Sequence, residues 1–368
     1  MGPEETALLF GSTEQECLSA LLLPATLAAA EAVLHTWIED PPRRLVLAGA
    51  GTSGRLAWYL AERHRPSLSS IGVEIAAWIA GGPRALVLAV EGAEDDYTLA
   101  RDELRSWLAQ DSGFYMGISC GLSAPCVAAG LVAASELRAR GAVFGVNAAD
   151  EARSSPLPGL AGGFRQCLAD RQDDPRFTLI TAPVGPELLT GSSRLKGGTA
   201  TWVLLDAMLA AWIDGDASGL ESRIRDTFSR AAGVTSQAGP WIEAAGDCLR
   251  EGHSLFYLGR GDEGRAGLLD ASECGPTFGA RSDQIRAFLE GGWAELGAET
   301  GNDSPAISMN SFDDSYHQGP EEGDLVFLLG GLEPLSPATS LELPSAGFLA
   351  TEPLLHAIPT GPFRPSGK

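Results

Sequence analysis

The stretch RLVLAGAGTSGRLAWYLAE, residues 44–62, decides the fold. Its apolar run Leu45–Ala48 predicts a short buried strand, the glycines of Gly49–Gly54 predict a tight turn, and Arg55–Glu62 predicts the start of a helix. A strand that enters a helix through a glycine-rich turn is typical of α/β proteins with parallel sheets. Such a turn lets the backbone approach a ligand closely, and the helix N terminus presents N–H groups to an anion.

A second stretch, SLFYLGRGDEGRAGLLDASE from Ser254, repeats the first at an offset of 210 residues. Because the match runs without a gap for more than thirty residues, we interpret it as an internal duplication. The aligned pairs are Gly49 with Gly259, Gly51 with Gly261, Gly54 with Gly264, Arg55 with Arg265, and Gly81-Gly82 with Gly291-Gly292.

Alternating strands and helices predict that the first copy is a doubly wound parallel sheet. The further predicted strands are Val73–Trp78, Gly113–Ile118, Ala142–Val146 and Phe177–Thr181, with helices at Leu99–Leu108 and Ala124–Arg138. Helical periodicity at Thr199–Ile213, Gly219–Ala232 and Ser236–Arg250 predicts that mostly helix connects the two copies.

The predicted organisation therefore has five parts: a helical segment at 1–40, interrupted near Pro24; a first sheet unit at 41–215; linking helices at 216–252; a partial second sheet unit at 253–335; and a proline-rich tail at 336–368. The second unit is expected to be incomplete because few residues follow the strand Asp324–Leu329. Seven prolines among those residues oppose long helices. An uncovered sheet edge there would favour a homodimer.

Composition excludes two classes of function. A net charge of −22 with only two lysines, Lys196 and Lys368, argues against a nucleic-acid partner. No apolar run approaches the roughly 18 residues of a membrane span, and the acidic N terminus lacks a secretory n-region, so we expect a cytoplasmic protein with no membrane partner. The six cysteines and five histidines show no metal-binding spacing, so we expect reduced thiols and neither a metal nor another cofactor.

Two loops have the composition of a phosphate site. GAGTSGR at Gly49–Arg55 and GISCGLSAP at Gly117–Pro125 each connect a predicted strand to a helix. The first loop is neither a Walker loop nor a complete dinucleotide fingerprint. Two such loops at the carboxyl ends of neighbouring strands favour a ligand crevice, although Ser123 as an N-cap before Pro125 is the simpler alternative for the second. The candidate ligand-binding residues are Gly51, Thr52, Ser53, Ser119, Gly121 and Ser123.

The second copy carries acidic residues at the matching positions. Asp262-Glu263 replaces Thr52-Ser53, and Gly331-Leu332-Glu333 replaces Gly121-Leu122-Ser123. Because carboxylates repel phosphate, we predict one working phosphate site, in the first copy, and a degenerate one in the second.

Two carboxylates are candidates for catalysis, Glu94 in VEGAEDD and Glu273 in LLDASECGPTFG. Composition alone favours structural roles for both. Glu94 would belong to a solvated acidic turn, and Glu273 would be exposed at a helix end before Gly275-Pro276.

The ordered motifs change that balance, because together they resemble a known family. GAGTSGR, IAGG, VEGAEDD, GPELLTGSSRLKGGTA and LLDASECGPTFG resemble the N-acetylmuramic acid 6-phosphate etherases. GISCGLSAP, GVNAADEAR, GFRQC and SSRLKGGTAT resemble the glucokinase regulatory proteins still more closely. Both belong to the sugar isomerase (SIS) domain superfamily, and the resemblance covers roughly residues 30–330.

The resemblance implies a sugar phosphate ligand, held by the six loop residues, with Glu94 and Glu273 at the reacting part of the sugar. The etherases form homodimers and carry both carboxylates in one unit. Here the first copy has Arg63 where the second has Glu273, and the second has Ser304 where the first has Glu94. If the copies pack like an etherase dimer, Glu94 and Glu273 converge on one pocket. Glu187 and Lys196 are further candidates for ligand binding, with helix packing as the alternative.

Three functions follow from the resemblance. An etherase would remove the C2 proton through Glu94, or add water there, and protonate the departing lactyl oxygen through Glu273, giving N-acetylglucosamine 6-phosphate and D-lactate. A regulatory protein would sense fructose or hexose phosphates and control a sugar kinase; its family has a further C-terminal helical portion that is not found before Lys368. An aldose–ketose isomerase would need a base such as Glu187. We expect the etherase first.

Overall fold

The computed structural model describes residues 2–109, 113–190, 192–235, 238–298, 305–311, 323–330 and 347–350. Ten α-helices form within these ranges: α1 Pro3–Leu21, α2 Pro24–Glu39, α3 Gly51–Ser70, α4 Tyr97–Leu108, α5 Pro125–Glu136, α6 Gly163–Ala169, α7 Lys196–Asp214, α8 Leu220–Thr235, α9 Gly239–Arg250 and α10 Gly261–Phe278. The same ranges hold nine strands: β1 Arg44–Gly49, β2 Glu74–Ile79, β3 Gly113–Ile118, β4 Arg140–Gly145, β5 Phe177–Thr181, β6 Leu255–Gly259, β7 Ile285–Leu289, β8 Leu325–Leu329 and β9 Gly347–Ala350. The break before Pro24 lies where it was predicted.

The chain divides into two compact units. The N-terminal unit comprises Thr13–Arg225, and the C-terminal unit comprises Asp226–Lys368 together with Met1–Ser12. Each unit has a parallel sheet of its own, as the duplication predicts.

The sheet of the N-terminal unit has the strand order β2-β1-β3-β4-β5, and every neighbouring pair is parallel. The predicted doubly wound α/β fold is therefore confirmed. After β1 the chain moves outward to β2, and it then returns to the other side of β1 for β3. This reversal creates a crevice outside the carboxyl ends of β1 and β3, where ligands bind in open α/β sheets.

The core of the N-terminal unit is packed closely enough to fix the loops at that edge. Strand β3 is buried along its whole length, which is typical of a parallel strand covered on both faces. The hydroxyl group of Tyr115 donates a hydrogen bond to the carbonyl of Val127 on α5, 2.9 Å away. A Cβ atom on Gly130 would lie 2.4 Å from that hydroxyl oxygen. Glycine at this position lets α5 lie directly against the sheet.

The C-terminal unit repeats the same strand order with one strand fewer in the described ranges, β7-β6-β8-β9, all parallel. Alternate side chains of β6 and β8 enter two hydrophobic clusters, one with Phe256 and Val326 and the other with Leu255 and Leu325. Strand β9 lies within 336–368, the segment that the sequence describes only as a proline-rich tail. The seven prolines that follow β8 lie outside the described residues.

No single helix in the described ranges is long and apolar enough to cross a membrane, and only α1 and α2 taken together reach the necessary length and composition. All six cysteines lie in the described ranges, and each is buried and forms no disulfide bond there.

Candidate functional site

The turn between β1 and α3 brings the first helical turn directly onto the edge of the sheet. Gly51 begins α3 with a φ of +51°, a left-handed conformation that glycine adopts without strain. A Cβ on Gly54 would lie 2.6 Å from Ile79 Cγ1 and 2.8 Å from the carbonyl oxygen of Gly49. The N–H groups of the first turn of α3 therefore begin right at the crevice, where they have no helical partner of their own.

Thr52 and Ser53 add two hydroxyl groups to this turn, and both residues are buried. The hydroxyl of Ser53 lies 3.5 Å from the thiol of Cys120, in the loop after β3. The methyl group of Thr52 lies 3.7 Å from the position that a Cβ on Gly198 would occupy, in the first turn of α7. The structure thus brings the loops after β1 and β3 together with the start of α7.

The loop after β3 is held by the side chain of Ser119. Its hydroxyl oxygen accepts hydrogen bonds from the N–H groups of Ser123 and Ala124, at 3.0 and 3.2 Å. Leu122 has a φ of +48°, an uncommon conformation for a leucine. Ser123 makes no side-chain cap, since the N-cap residue of α5 is Ala124. The N-cap role considered for Ser123 is therefore wrong, and the exposed hydroxyl of Ser123 stays a candidate ligand contact.

Glu94 lies in a short 3₁₀ turn, Ala93–Asp95, which follows Gly92 in the left-handed conformation. Glu94 is exposed at the surface, yet desolvation by the surrounding protein and the neighbouring charges of Asp95 and Glu91 raise the pKa of its carboxyl group, and Arg153 partly opposes them. Burial and then the charge of Glu94 raise the pKa of Cys126, in the first turn of α5, to about 12. Glu94 is therefore close enough to α5 to act on its N-terminal turn.

Arg153 links the turn of Glu94 to the loop of Ser119. Its backbone N–H donates to the carbonyl of Leu122 at 3.1 Å, and its guanidinium lies 4.0 Å from the carboxylate of Asp95. Glu94 and the two hydroxyl-bearing loops consequently belong to one region of the N-terminal unit.

Glu187 stabilises the start of α7. Its two carboxylate oxygens accept hydrogen bonds from the N–H groups of Lys196 and Gly197, at 2.9 and 2.8 Å. Burial raises the pKa of Glu187, although these two hydrogen bonds oppose the effect. This geometry supports the helix-packing alternative for Glu187, and a role in ligand binding stays a prediction.

Lys196 is 3% exposed, and its ammonium group forms an ion pair with Glu16 of α1. Its backbone carbonyl also lies 3.5 Å from the thiol of Cys17 on the same helix. A cavity of about 480 Å³ opens here, between Gln15–Leu23 and the loop Pro183–Gly185. Because Glu16 already neutralises the ammonium group of Lys196, a phosphate bound there would have to share that positive charge with the Glu16 carboxylate.

Glu273 lies in the C-terminal unit, half-buried on α10. The helix does not end before Gly275-Pro276, as the structural alternative assumed, but continues to Phe278 and ends at Gly279 with a φ of +69°. Convergence of Glu273 with Glu94, which belongs to the other unit, stays a prediction. The position that matches Glu273 in the first copy, Arg63, donates to Asp206 at 2.8 Å.

In the C-terminal unit a carboxylate of the chain itself occupies the helix N terminus that matches α3. Glu295 accepts hydrogen bonds from the N–H groups of Gly261 and Gly291. Asp262 forms an ion pair with Arg265 at 2.9 Å. These contacts support the prediction that the second site is degenerate; Ser304 and the loop Gly331–Glu333 lie outside the described residues.

Sequence reasoning did not single out Cys120 or Ser192 in the N-terminal unit, or Glu295 in the C-terminal unit. Cys120 stands between Ser119 and Gly121 in a loop that was singled out, but its hydrogen bonds reach 67 and 81 residues along the chain and leave no local signal. Ser192 has a hydroxyl that is buried without a partner among the described residues. Glu295 matches Ala85 at the offset of 210, so the duplication itself could have drawn attention to it.

Comparison with known proteins confirms the predicted resemblance. Residues 28–135 match the model of the glucokinase regulatory protein N-terminal SIS domain. The glucokinase regulatory protein of Xenopus laevis is 33% identical over an alignment of 313 residues that covers 78% of this chain and 50% of that protein. The N-acetylmuramic acid 6-phosphate etherase of Staphylococcus saprophyticus is 36% identical over 163 residues, 44% of this chain and 48% of that protein. The chain thus spans about half the length of these curated relatives.

A solved structure agrees on the fold. The C-terminal domain of glucosamine-fructose-6-phosphate aminotransferase from Francisella tularensis superposes with a TM-score of 0.52 at 10% identity, over 88% of this chain and 82% of that one. At this level of identity the likeness shows the α/β fold alone.

Proposed function

We propose that this chain, which carries an SIS domain, binds a sugar phosphate in the crevice of its N-terminal unit and is a lyase of the N-acetylmuramic acid 6-phosphate etherase type. The observation that carries the proposal is the meeting of Thr52, Ser53 and the Ser119 loop at the point where the strand order reverses. Sugar phosphates are ligands of several relatives by name, and these residues suit the phosphate group.

The phosphate would be bound by local donors rather than by the overall field of the protein. The net charge of −22 repels anions at long range. The N terminus of α3 offers backbone N–H groups and a partial positive charge, and the hydroxyl groups of Thr52 and Ser53 add donors. Backbone N–H groups of this kind recognise phosphate without a lysine.

The lyase step needs two groups that exchange protons with the sugar. Removal of the C2 proton and loss of the lactyl oxygen from C3 give an unsaturated sugar and D-lactate, and water then adds to give N-acetylglucosamine 6-phosphate. The raised pKa of Glu94 makes it a stronger base than an ordinary carboxylate, which suits the C2 proton. We assign Glu273 to protonation of the lactyl oxygen, which requires the two units to share a pocket.

A second candidate function is a sugar phosphate sensor like the glucokinase regulatory proteins, with a sugar kinase as its partner. The similarity to that relative over 313 residues favours it, because a stretch of that length must include residues of both units. A sensor would bind the same phosphate through the same loops and release no lactate. For an isomerase the structure offers less, since both oxygens of Glu187, the required base, accept backbone N–H groups.

The test is a D-lactate assay with N-acetylmuramic acid 6-phosphate. We expect lactate release by the wild-type protein, and loss of at least about a hundredfold in Glu94→Gln and in Glu273→Gln, the range of acid–base contributions. Glu91→Gln, an exposed carboxylate before the same turn, is the matched control and should keep its activity.

The outcomes separate the two candidates. No lactate, with fructose 6-phosphate raising the melting temperature, would contradict the lyase and leave the sensor. No lactate and no stabilisation by either sugar phosphate would contradict the phosphosugar site itself.

A further inference from the structure

We infer that Cys120 is a positioning residue, which holds the hydroxyl group of Ser53 in place through a chain of hydrogen bonds to Thr201 and Gly197. This inference rests on the proposed sugar phosphate site, because Ser53 is one of its predicted donors. It assigns to the thiol a role that neither composition nor motif indicates.

The chain consists of three hydrogen bonds between buried groups. The hydroxyl oxygen of Ser53 lies 3.5 Å from the sulfur of Cys120, and this sulfur lies 3.8 Å from the hydroxyl oxygen of Thr201. The hydroxyl of Thr201 donates to the carbonyl of Gly197 at 2.7 Å. Ser53, Cys120 and Thr201 are 7%, 6% and 0% exposed, so water does not compete for these groups.

The direction of the chain follows from counting protons. A hydroxyl or thiol group has one proton to donate. Thr201 gives its proton to Gly197, so the bond between Cys120 and Thr201 requires the thiol proton. Ser53 must then be the donor in its bond to the sulfur.

The protonation state of Cys120 supports this direction. Burial raises the pKa of the Cys120 thiol, and the neighbouring hydroxyl groups of Ser53 and Thr201 only partly oppose that effect. The thiol therefore keeps its proton at neutral pH, and no thiolate charge repels a phosphate.

Sulfur suits this role because it is a weak acceptor. The sulfur orients the Ser53 hydroxyl in the free protein, but the hydrogen bond between them is weak enough to break readily. The Ser53 hydroxyl can then donate to a phosphate oxygen, in a charge-assisted hydrogen bond that is stronger than its bond to the sulfur. Cys120 thus lowers the entropy that is lost when a bound ligand orders the Ser53 hydroxyl.

Position within the fold adds a second reason. A Cβ on Gly197 would lie 3.1 Å from the sulfur of Cys120 and 2.9 Å from Glu187. The thiol therefore touches the start of α7 as well as the loop after β1, and it fixes the spacing of the two loops and the helix.

The experiment measures affinity for fructose 6-phosphate and N-acetylmuramic acid 6-phosphate by titration calorimetry. We expect Cys120→Ala to weaken the binding of the sugar phosphate that the wild type binds by about three- to tenfold, the worth of one hydrogen bond. Cys120→Ser should recover part of the loss, because it restores a donor and an acceptor. Cys167→Ala removes a buried thiol of α6 whose hydrogen bonds within the described residues involve Ala128 and Arg171, and it should bind as the wild type does.

An infrared measurement separates positioning from packing. The S–H stretching band of Cys120 is identified as the band that Cys120→Ser removes. We expect this band to shift in Ser53→Ala without any ligand. We also expect it to shift in the wild type when the sugar phosphate is added. An unchanged band in Ser53→Ala would overturn the inference even if the wild type binds the ligand. So would wild-type affinity in Cys120→Ala. Absence of binding by the wild type, together with the band shift in Ser53→Ala, would contradict the proposed function and leave the hydrogen-bond chain in place.

Discussion

The carboxylate of Glu295 accepts a hydrogen bond from the backbone N–H of Gly261, the first residue of α10. Gly261 matches Gly51 at the offset of the duplication, and Glu295 matches Ala85, so the anion that closes the start of α10 has no counterpart at the matching position near α3. The same carboxylate also accepts the N–H of Gly291 at 3.1 Å.

Removing this carboxylate should destabilise the C-terminal unit. Glu295→Ala leaves two N–H groups without their acceptor, and we expect a loss of about 1 kcal/mol, as for an N-cap. Urea unfolding followed by circular dichroism measures it. Glu290→Ala removes a neighbouring exposed carboxylate and should stay within about 0.5 kcal/mol of the wild type; equal losses in both variants would show that charge, not capping, is responsible.

The contribution of the Glu94 carboxyl group to the stability of the fold should decrease as the pH rises. Its pKa is higher in the folded chain than its ordinary value, so the folded state binds the proton more tightly than the unfolded state. Stability from this group is present at low pH and is lost as pH rises from its ordinary pKa through the raised one. Glu94→Gln should therefore be more stable than the wild type at about pH 8, with a gap that narrows towards about pH 5. Thermal melts across this range check it, and a gap that widens at low pH would contradict the raised pKa.

The glycine contacts behind the two turns should be equally intolerant of a methyl group. Gly54→Ala would place Cβ 2.6 Å from Ile79, and Gly264→Ala would place it 2.6 Å from the carbonyl carbon of Gly259. We expect each to cost about 1–3 kcal/mol from overpacking. Gly246→Ala in α9, where the nearest atom is 3.8 Å away, should instead gain about 0.5–1 kcal/mol. Denaturant midpoints of the three variants decide it; a tolerated Gly54→Ala would contradict the described turn.

Asp206 should be essential to the packing of α3 on α7. His64 and Arg63 lie 2.7 and 2.8 Å from the same carboxylate oxygen. Burial would raise the pKa of Asp206, but these two partners lower it below its ordinary value. We expect Asp206→Asn to cost about 3 kcal/mol, because it removes the negative charge from a buried ion pair with Arg63. Asp214→Asn at the exposed end of α7 breaks only a surface ion pair with Arg223 and should cost less than about 1 kcal/mol. A calorimetric melt of each variant gives the comparison.

The fold could be predicted from sequence patterns within short stretches of the chain. The existence of β1 and α3 follows from an apolar run, glycines and helical spacing, but α3 begins at Gly51, inside the predicted turn Gly49–Gly54, and not at Arg55. The duplication then fixed the matching elements of the second copy. The same patterns were wrong about the end of α10. Gly275 and Pro276 favour an end of the helix before them, yet α10 continues to Phe278. A proline near the last turn interrupts only a single backbone hydrogen bond, so the helix can continue past it.

The site was predictable only where its residues act within their own loop. Thr52, Ser53 and Ser119 were predicted because hydroxyls and glycines cluster between a strand and a helix, and the structure brings their loops together. The capping of α7 by Glu187 and the pairing of Lys196 with Glu16 depend on residues 9 to 180 positions apart. Those distances close only when the sheet has formed, and single-sequence patterns do not report them.

The close approach of Gly49 to Gly54, repeated between Gly259 and Gly264, has a consequence for how such chains change over time. Both pairs are required by steric contact between a strand and a helix, whether or not an anion is bound nearby. A copy that loses its ligand is free to replace Thr-Ser with Asp-Glu, but it is not free to replace these glycines. The glycine pattern alone therefore reports the strand–turn–helix unit and not a ligand site, and it occurs twice where the hydroxyl groups support one site.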